Sequence, residues 1–173
     1  WSLVELKVSH PAQLFNSLDP SPFRERDLDP EAAEYVIDAL RELHGHRLVK
    51  LVVHLPGQAD ARTRAAVVDA FHNYFRYRAQ GARLALRQVL RVGRASLLVG
   101  LAFLALCSLL WMYVFTGEGA LHRILHEGAL IIGWVAMWRP LDLLLYEWWP
   151  ILRDERLYQR IAAMPVEVRG PAA

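Results

Sequence analysis

The sequence predicts an α/β membrane protein, in which a small cytoplasmic three-stranded α/β domain is joined to a two-helix transmembrane hairpin. Three observations support this. The N-terminal part has a strand–helix–strand order, two long apolar runs follow it, and the chain ends in a short alternating segment. Apolar residues make up 54% of the 173 residues and are concentrated after position 94, which is unusual for a soluble domain. The net charge of +2 selects no class of partner.

The predicted cytoplasmic α/β domain covers residues 1–82. "VELKV" alternates apolar and polar residues, as a half-buried strand does. "DPEAAEYVIDALREL" indicates a helix, with Asp29 as the N-cap and Pro30 at the first helical position. "LVKLVVHL" is more continuously apolar, which favours a central strand. A strand–helix–strand order is usually a right-handed crossover, so the two strands are expected to be parallel.

A second helix is predicted from about residue 60, and it continues as a basic juxtamembrane helix over 83–94. Its arginines recur every three or four residues and therefore share one stripe: Arg83, Arg87, Arg91 and Arg94. This stripe can bind anionic lipid or act only as a topology signal, and the two interpretations are compatible. Because the stripe adjoins an apolar run, lipid is favoured over nucleic acid.

The first transmembrane helix is predicted over 95–115, a run without charged residues. At about 1.5 Å per residue it reaches roughly 30 Å, the thickness of the bilayer hydrocarbon core. The chain's one cysteine, Cys107, lies inside this run. An intramolecular disulfide and a four-cysteine zinc site are therefore excluded, and Cys107 is expected to act as a small apolar residue.

The second transmembrane helix is predicted over 120–138. An alternative register, 128–147, would place Arg139 near the middle of the bilayer, at a cost of at least about 2.5–3.5 kcal/mol. His122 and His126 are four residues apart on one helix face, but two ligands do not complete a metal or haem site. No metal and no cofactor are predicted.

Arginine bias sets the expected orientation. Arginines precede the first span and follow the second, whereas the connection holds only Arg123. The positive-inside rule then places both termini in the cytoplasm. Trp111 belongs to the expected outer aromatic belt, and the inner interface is expected to hold Trp138, Arg139, Trp148 and Trp149.

After the second span, Pro140 is expected to break or kink the helix. An interfacial helix is predicted over 140–149, with one apolar face made by Leu141, Leu144, Leu145 and Trp148. Asp142 and Glu147, beside Arg139, are interpreted as interfacial anchors in preference to a proton path. Residues 151–173 are predicted to form a cytoplasmic helix and a strand that returns to the N-terminal domain.

The segment "LFNSLDPSPFRERDLDP" (14–30) is long for a connection in a compact domain. One interpretation is that it covers its own sheet and buries Phe15 and Phe23. The other is that it contacts a partner protein, through Phe15 and a centre made by Phe23, Arg24, Glu25 and Arg26.

This segment and "GWVAMWRPLDLLLYEWWP" are the two blocks by which the chain resembles an uncharacterised family of bacterial two-span inner-membrane proteins. The resemblance also includes the basic run before the first span and an ending like "RLYQRIAAMPVEV", and it covers nearly the whole chain. It implies a location in the bacterial inner membrane. It implies no activity and assigns no functional residue.

No catalytic signature is present: the sequence has no Walker loop, no Gly-x-Gly-x-x-Gly, no Gly-x-Ser-x-Gly and no His-Glu-x-x-His. The favoured hypothesis is an accessory or scaffolding subunit of a larger inner-membrane complex, for example a respiratory or photosynthetic one. Its partners would be other membrane protein subunits and anionic lipid. A self-associating or lipid-responsive membrane regulator is the alternative, and an enzyme is the least supported. The sequence leaves the oligomeric state open.

Overall fold

The structure is a computed structural model that describes residues 2–16, 27–43, 49–57, 60–114 and 120–170. The chain separates into two compact units. The first consists of Trp1–Gln80 together with Glu155–Ala173, and the second is Gly81–Asp154. The first unit holds a small parallel sheet with its helices, and the second is entirely helical within the described residues. The mixed composition of helices and a three-stranded sheet confirms the predicted α/β class.

The sheet contains three strands: β1 (Ser2–Lys7), β2 (Val49–His54) and β3 (Val166–Arg169). Their order is β1-β2-β3 and both neighbouring pairs are parallel. Leu51 is the register partner of Val4 on one side and of Val166 on the other. The predicted central strand, the parallel pairing and the return of the C-terminal strand are all confirmed.

Strand β2 is the central strand, and the face that carries Val49, Leu51 and Val53 is entirely apolar. Leu51, Val52 and Val53 are almost completely buried. Val52 lies on the opposite face of the sheet, in register between Glu5 of β1 and Glu167 of β3, so charged side chains surround it there. In contrast, β1 alternates, with Val4 buried and its neighbours Leu3 and Glu5 exposed.

Helix α1 (Pro30–Glu42) begins where the sequence predicts. The Glu31 amide donates to Asp29 Oδ1 at 2.9 Å, so Asp29 is the N-cap, and Pro30 occupies the first helical position. The buried face of α1 packs into the core next to the sheet and consists of Ala33, Val36, Ile37 and Leu40.

Helix α2 (Ala61–Val114) begins after Asp60, whose Oδ1 accepts a hydrogen bond from the Thr63 amide at 3.0 Å. Hydrogen bonding with Thr63 stabilises the carboxylate and lowers the pKa of Asp60. The part of α2 within the first unit adds Val67, Phe71 and Phe75 to the core, and Phe75 is fully buried.

The C-terminal part of helix α4 (Trp148–Ala162) also contributes to this core, through Ile161. Arg78 of α2 lies over the ring of Tyr158 in α4, with its Cζ 5.3 Å from the ring centroid. The His72 Nε2 atom lies 2.9 Å from the Met164 carbonyl oxygen, just after α4 ends. These contacts hold the end of α4 against α2 immediately before the chain enters β3.

Hydrogen bonds join the two ends of the connection from β1 to α1. A 3-10 turn (Pro11–Leu14) leads to an isolated antiparallel bridge between Phe15 and Leu28. The Asn16 amide donates to the Asp27 carbonyl at 2.8 Å, and the Asp29 amide donates to the Leu14 carbonyl at 2.9 Å. Phe15 is 3% exposed and belongs to the core. Residues 17–26 lie outside the described part of the chain.

The region after Pro140 differs from the prediction. Helix α3 (Ala120–Asp142) continues through Pro140, and a π-helical segment (Leu143–Glu147) joins it directly to α4. A separate helix over 140–149 is therefore not formed. Proline removes one main-chain donor, and the wider π turn that follows lets the helix continue with altered hydrogen bonding.

The β2–β3 pair carries an ion cluster on its surface. Arg169 Nε donates to Glu167 Oε1 at 2.9 Å, and Lys50 of β2 forms an ion pair with the same carboxylate. The hydrogen bonds from Arg169 and Lys50 lower the pKa of Glu167 from 4.5 to about 2. Because the folded-state pKa is depressed, the stabilisation is complete above pH 4.5 and disappears as the pH falls through 2.

We therefore expect the Glu167→Gln variant to melt at a lower temperature than the wild type between pH 5 and 7. The difference should shrink as the pH falls from 4.5 towards 2, since both proteins then carry a neutral side chain at this position. Thermal unfolding followed by circular dichroism across this range measures it. Glu34→Gln, at an exposed position of α1, is the control. A difference in melting temperature that is independent of pH would contradict the proposed role of the carboxylate.

Candidate functional site

The second unit is a helical hairpin whose inner face is lined by small residues. A Cβ atom added at Gly93 of α2 would lie 3.0 Å from Leu144 Cδ2, and one at Gly100 would lie 2.8 Å from Met137 Sδ. From the other helix, a Cβ atom at Gly133 would collide with Leu104 Cδ2. These glycines therefore let the two helices approach closely, as small residues do in pairs of membrane helices.

The outer faces of the same helices expose large apolar side chains. Trp138 is 71% exposed and Val99 is 70% exposed. The further members of this outer apolar surface are Leu98, Leu101, Leu106, Leu109, Met112, Ile131, Ile132, Trp134 and Val135. An exposed apolar surface of this extent indicates contact with lipid or with another protein.

Two helical stretches are long and apolar enough to cross a membrane. They lie within Ala61–Leu110 and Glu127–Ala162. In the most apolar 18-residue part of each, 11% and 18% respectively is buried. The core helix of a soluble protein would be mostly buried instead. The two stretches agree with the two predicted apolar helices, although a bilayer is not part of the structure.

The arginines of the basic juxtamembrane helix all lie on α2, immediately before its apolar part. Each is exposed: Arg83, Arg87, Arg91 and Arg94. Helix α2 has no break between this basic stretch and the first predicted span. The stripe is therefore presented on one continuous helix.

A charged cluster follows the apolar part of α3. Arg139 Nη1 donates to Glu147 Oε1 at 2.6 Å and to Asp142 Oδ2 at 3.3 Å. The π turn brings Glu147, eight residues further along the chain, within reach of Arg139. The guanidinium is therefore neutralised where the apolar helix ends.

Aromatic side chains surround this cluster. Trp148 Nε1 donates to the Leu144 carbonyl at 2.8 Å, and Trp149 is exposed beside it. An open cavity of about 740 Å³ is lined by Val135, Trp138, Arg139, Leu141, Asp142 and Tyr146. Tryptophan side chains next to an ion-paired arginine are typical of a membrane–water interface.

The predicted apolar face of the 140–149 region is distributed differently in the structure. Leu143 is buried and Leu144 lies over Gly93, whereas Leu141 and Leu145 are exposed. The sequence prediction used a period of 3.6 residues, and the π segment changes this period. Leu144 therefore lies on a different side of the helix from Leu141 and Leu145.

Several predicted site residues have no described side chain. Phe23, Arg24, Glu25 and Arg26 lie outside the described residues, so their predicted partner contact stays a prediction. The side chains of Trp111, His122 and His126 are also outside the described part. Phe15, the fifth residue of the predicted contact, packs in the core and has little surface left for a partner.

The described residues hold no group of three or more histidine, cysteine or acidic side chains that could bind a metal ion. The sequence prediction overlooked the glycines of the hairpin. Gly93 and Gly100 are seven residues apart, so they lie on one side of a helix. This spacing was the signal that could have identified the contact face.

Comparisons with known proteins return no match: no family model fits the chain, and neither a curated protein nor a solved structure resembles it. The candidate site therefore depends on the geometry of the chain itself.

We expect the Gly133→Ala variant to be less stable than Gly128→Ala by about 1 kcal/mol, because the added methyl group forces the Leu104 side chain to move. Gly128→Ala is the matched control, since the same change on the same helix meets no atom within 4 Å. Unfolding of both variants in mild detergent measures the effect. Equal stability of the two variants would contradict the close approach of the helices.

Proposed function

We propose that the chain is an integral membrane protein, and that it acts as an accessory or scaffolding subunit of a larger complex in the bacterial inner membrane. The observation that carries this proposal is the inverted packing of the second unit, with glycines inside the hairpin and large apolar side chains outside. Such a surface is stable in lipid or against other membrane helices, and unstable in water.

The orientation follows from the sequence. The arginine stripe lies on α2 just before the proposed first span, and further arginines follow the second span. Both groups favour a cytoplasmic location for the two ends of the chain. The Arg139 cluster and its tryptophans then lie at the cytoplasmic interface, where a neutralised guanidinium costs little.

A supporting role is favoured over transport or catalysis. Within the described residues, the two helices approach closely at Gly93, Gly100 and Gly133, which leaves little room for a substrate path between them at these positions. The surfaces that remain are the outer apolar surface and the cavity beside Arg139, which suit a neighbouring subunit. Respiratory and photosynthetic complexes are examples of assemblies that use such subunits.

Mild extraction of the native membrane, followed by mass spectrometry of the purified complex, tests this function. We expect the chain to stay in the membrane through an alkaline carbonate wash and to purify with a stoichiometric partner. The Phe23→Ser variant should lose that partner and remain inserted, because Phe23 is at the centre of the predicted partner contact in segment 14–30. Tyr77→Ser, at an exposed aromatic of α2, is the control and should keep the partner. A chain that is released by carbonate, or that purifies as a lone monomer, would contradict the proposal.

A lipid-responsive regulator is the second candidate, and the exposure of the four-arginine stripe favours it. A juxtamembrane arginine contributes about 1 kcal/mol to binding at an anionic surface. Replacing Arg83, Arg87 and Arg91 by glutamine should therefore abolish any preference for anionic over zwitterionic liposomes in a flotation assay. Replacing the exposed Arg62, Arg64 and Arg76 of the first unit is the control. An unchanged preference in the stripe variant would exclude this candidate.

A further inference from the structure

Strand β1 lies at the edge of the described sheet. Within the described residues it pairs with β2 alone. The Val8 amide donates to the His54 carbonyl, so the even-numbered residues of this segment direct their main-chain groups towards β2. The main-chain groups of Leu3, Glu5 and Lys7 must then face away from β2. The Tyr35 hydroxyl confirms this direction, because it donates to the Glu5 carbonyl at 3.3 Å from outside the sheet.

The side chains of this edge are complementary to themselves. A twofold rotation centred on Leu6 places a second β1 antiparallel to the first, with Glu5 opposite Lys7 of the copy. Each carboxylate then faces an ammonium group on the exposed face of the sheet. Val4 faces Val8 and Leu6 faces Leu6 on the other face. Opposite charges and apolar pairs across neighbouring strands are both stabilising.

The hydrogen-bonding pattern allows the same register. Glu5 and Lys7 both direct their main-chain groups outwards, so they form a hydrogen-bonded pair that exchanges two bonds. Leu6 directs its main-chain N–H and C=O groups towards β2. In the pair of β1 strands it therefore occupies a non-hydrogen-bonded position, on the twofold axis. The Glu5 carbonyl oxygen has two lone pairs, so it can accept a hydrogen bond from the Lys7 amide of the copy in addition to the one from the Tyr35 hydroxyl.

The described residues also form a groove beside this edge. A groove of about 880 Å³ runs along it, and its lining includes Glu5, Leu6, Lys7, Ala32 and Tyr35. Within the described residues, the exposed Glu5 carboxylate lies 3.7 Å from His54 Nε2, which is a long contact for an ion pair. Glu5 can therefore form a closer ion pair with a second copy.

We propose that the open edge of β1 binds β1 of a second copy of this chain, antiparallel and centred on Leu6. The two three-stranded sheets then form one continuous sheet. This self-association goes beyond the proposed subunit function and does not depend on it. A chain that stays monomeric can still be inserted in a membrane and bound to another subunit, so failure of one proposal is distinguishable from failure of the other.

Charge exchange tests the proposed pairing in the full chain in mild detergent. Glu5→Lys places lysines at both positions and Lys7→Glu places glutamates at both, so each variant should associate with itself on the order of tenfold more weakly than the wild type. Mixing the two variants restores every opposite pair, and they should associate with each other as the wild type does. Light scattering and binding of fluorescently labelled chains measure this. A mixture that associates no better than the single variants, or a monomeric wild type, would overturn the proposal.

Disulfide trapping tests the register independently. Two copies of Leu6 on the twofold axis would have Cα atoms roughly 4.5 Å apart, within disulfide range. In a Cys107→Ala background, Leu6→Cys should therefore form covalent dimers when a mild oxidant is added. Leu3→Cys is the control: Leu3 is 48% exposed, but in this register it faces Ser9 of the copy and should not cross-link. Circular dichroism verifies that both variants are folded. Cross-linking of Leu3→Cys that equals that of Leu6→Cys would exclude the register.

Discussion

The pairing of β3 with β2 is the constraint on which the rest of the structure depends. Strand β2 receives β1 on one side and β3 on the other, and the chain between β2 and β3 contains both long apolar helices. After α2 and α3, the chain must return to the edge of β2, where Val166 begins the pairing. A helical hairpin satisfies this condition, because its second helix reverses the direction of the first. The two helices of this hairpin approach closely at Gly93, Gly100 and Gly133.

Much of the fold could be predicted because its signals are local. Each signal lies within a few residues: the alternation around Val4, the apolar run around Leu51, and the N-cap Asp29 followed by Pro30. The behaviour at Pro140 could not be predicted in this way. A proline in an apolar run indicates a break, yet here it is buried within the hairpin and the helix continues past it. Packing of neighbouring residues, such as Leu144 over Gly93, then outweighs the local preference.

The candidate site was predicted less completely. The arginine stripe from Arg83 follows directly from residue spacing, and its exposure agrees with that spacing. The sequence indicated interfacial anchors at Asp142 and Glu147, but the ion pair between Arg139 and Glu147 could not be predicted, because it depends on the π turn between them. The open edge of β1 could not be recognised from the sequence, because a strand shows whether it is an edge only when its neighbours are known.

The central claim is that the chain leaves the sheet, crosses a bilayer twice and returns to the same side. Single cysteines at Arg62, at Arg156 and at Glu118, in the connection between the two helices, can be labelled with a membrane-impermeant maleimide in sealed vesicles of a Cys107→Ala protein. The account predicts that Arg62→Cys and Arg156→Cys are labelled from one side and Glu118→Cys from the opposite side only. Labelling of all three positions from the same side would contradict it.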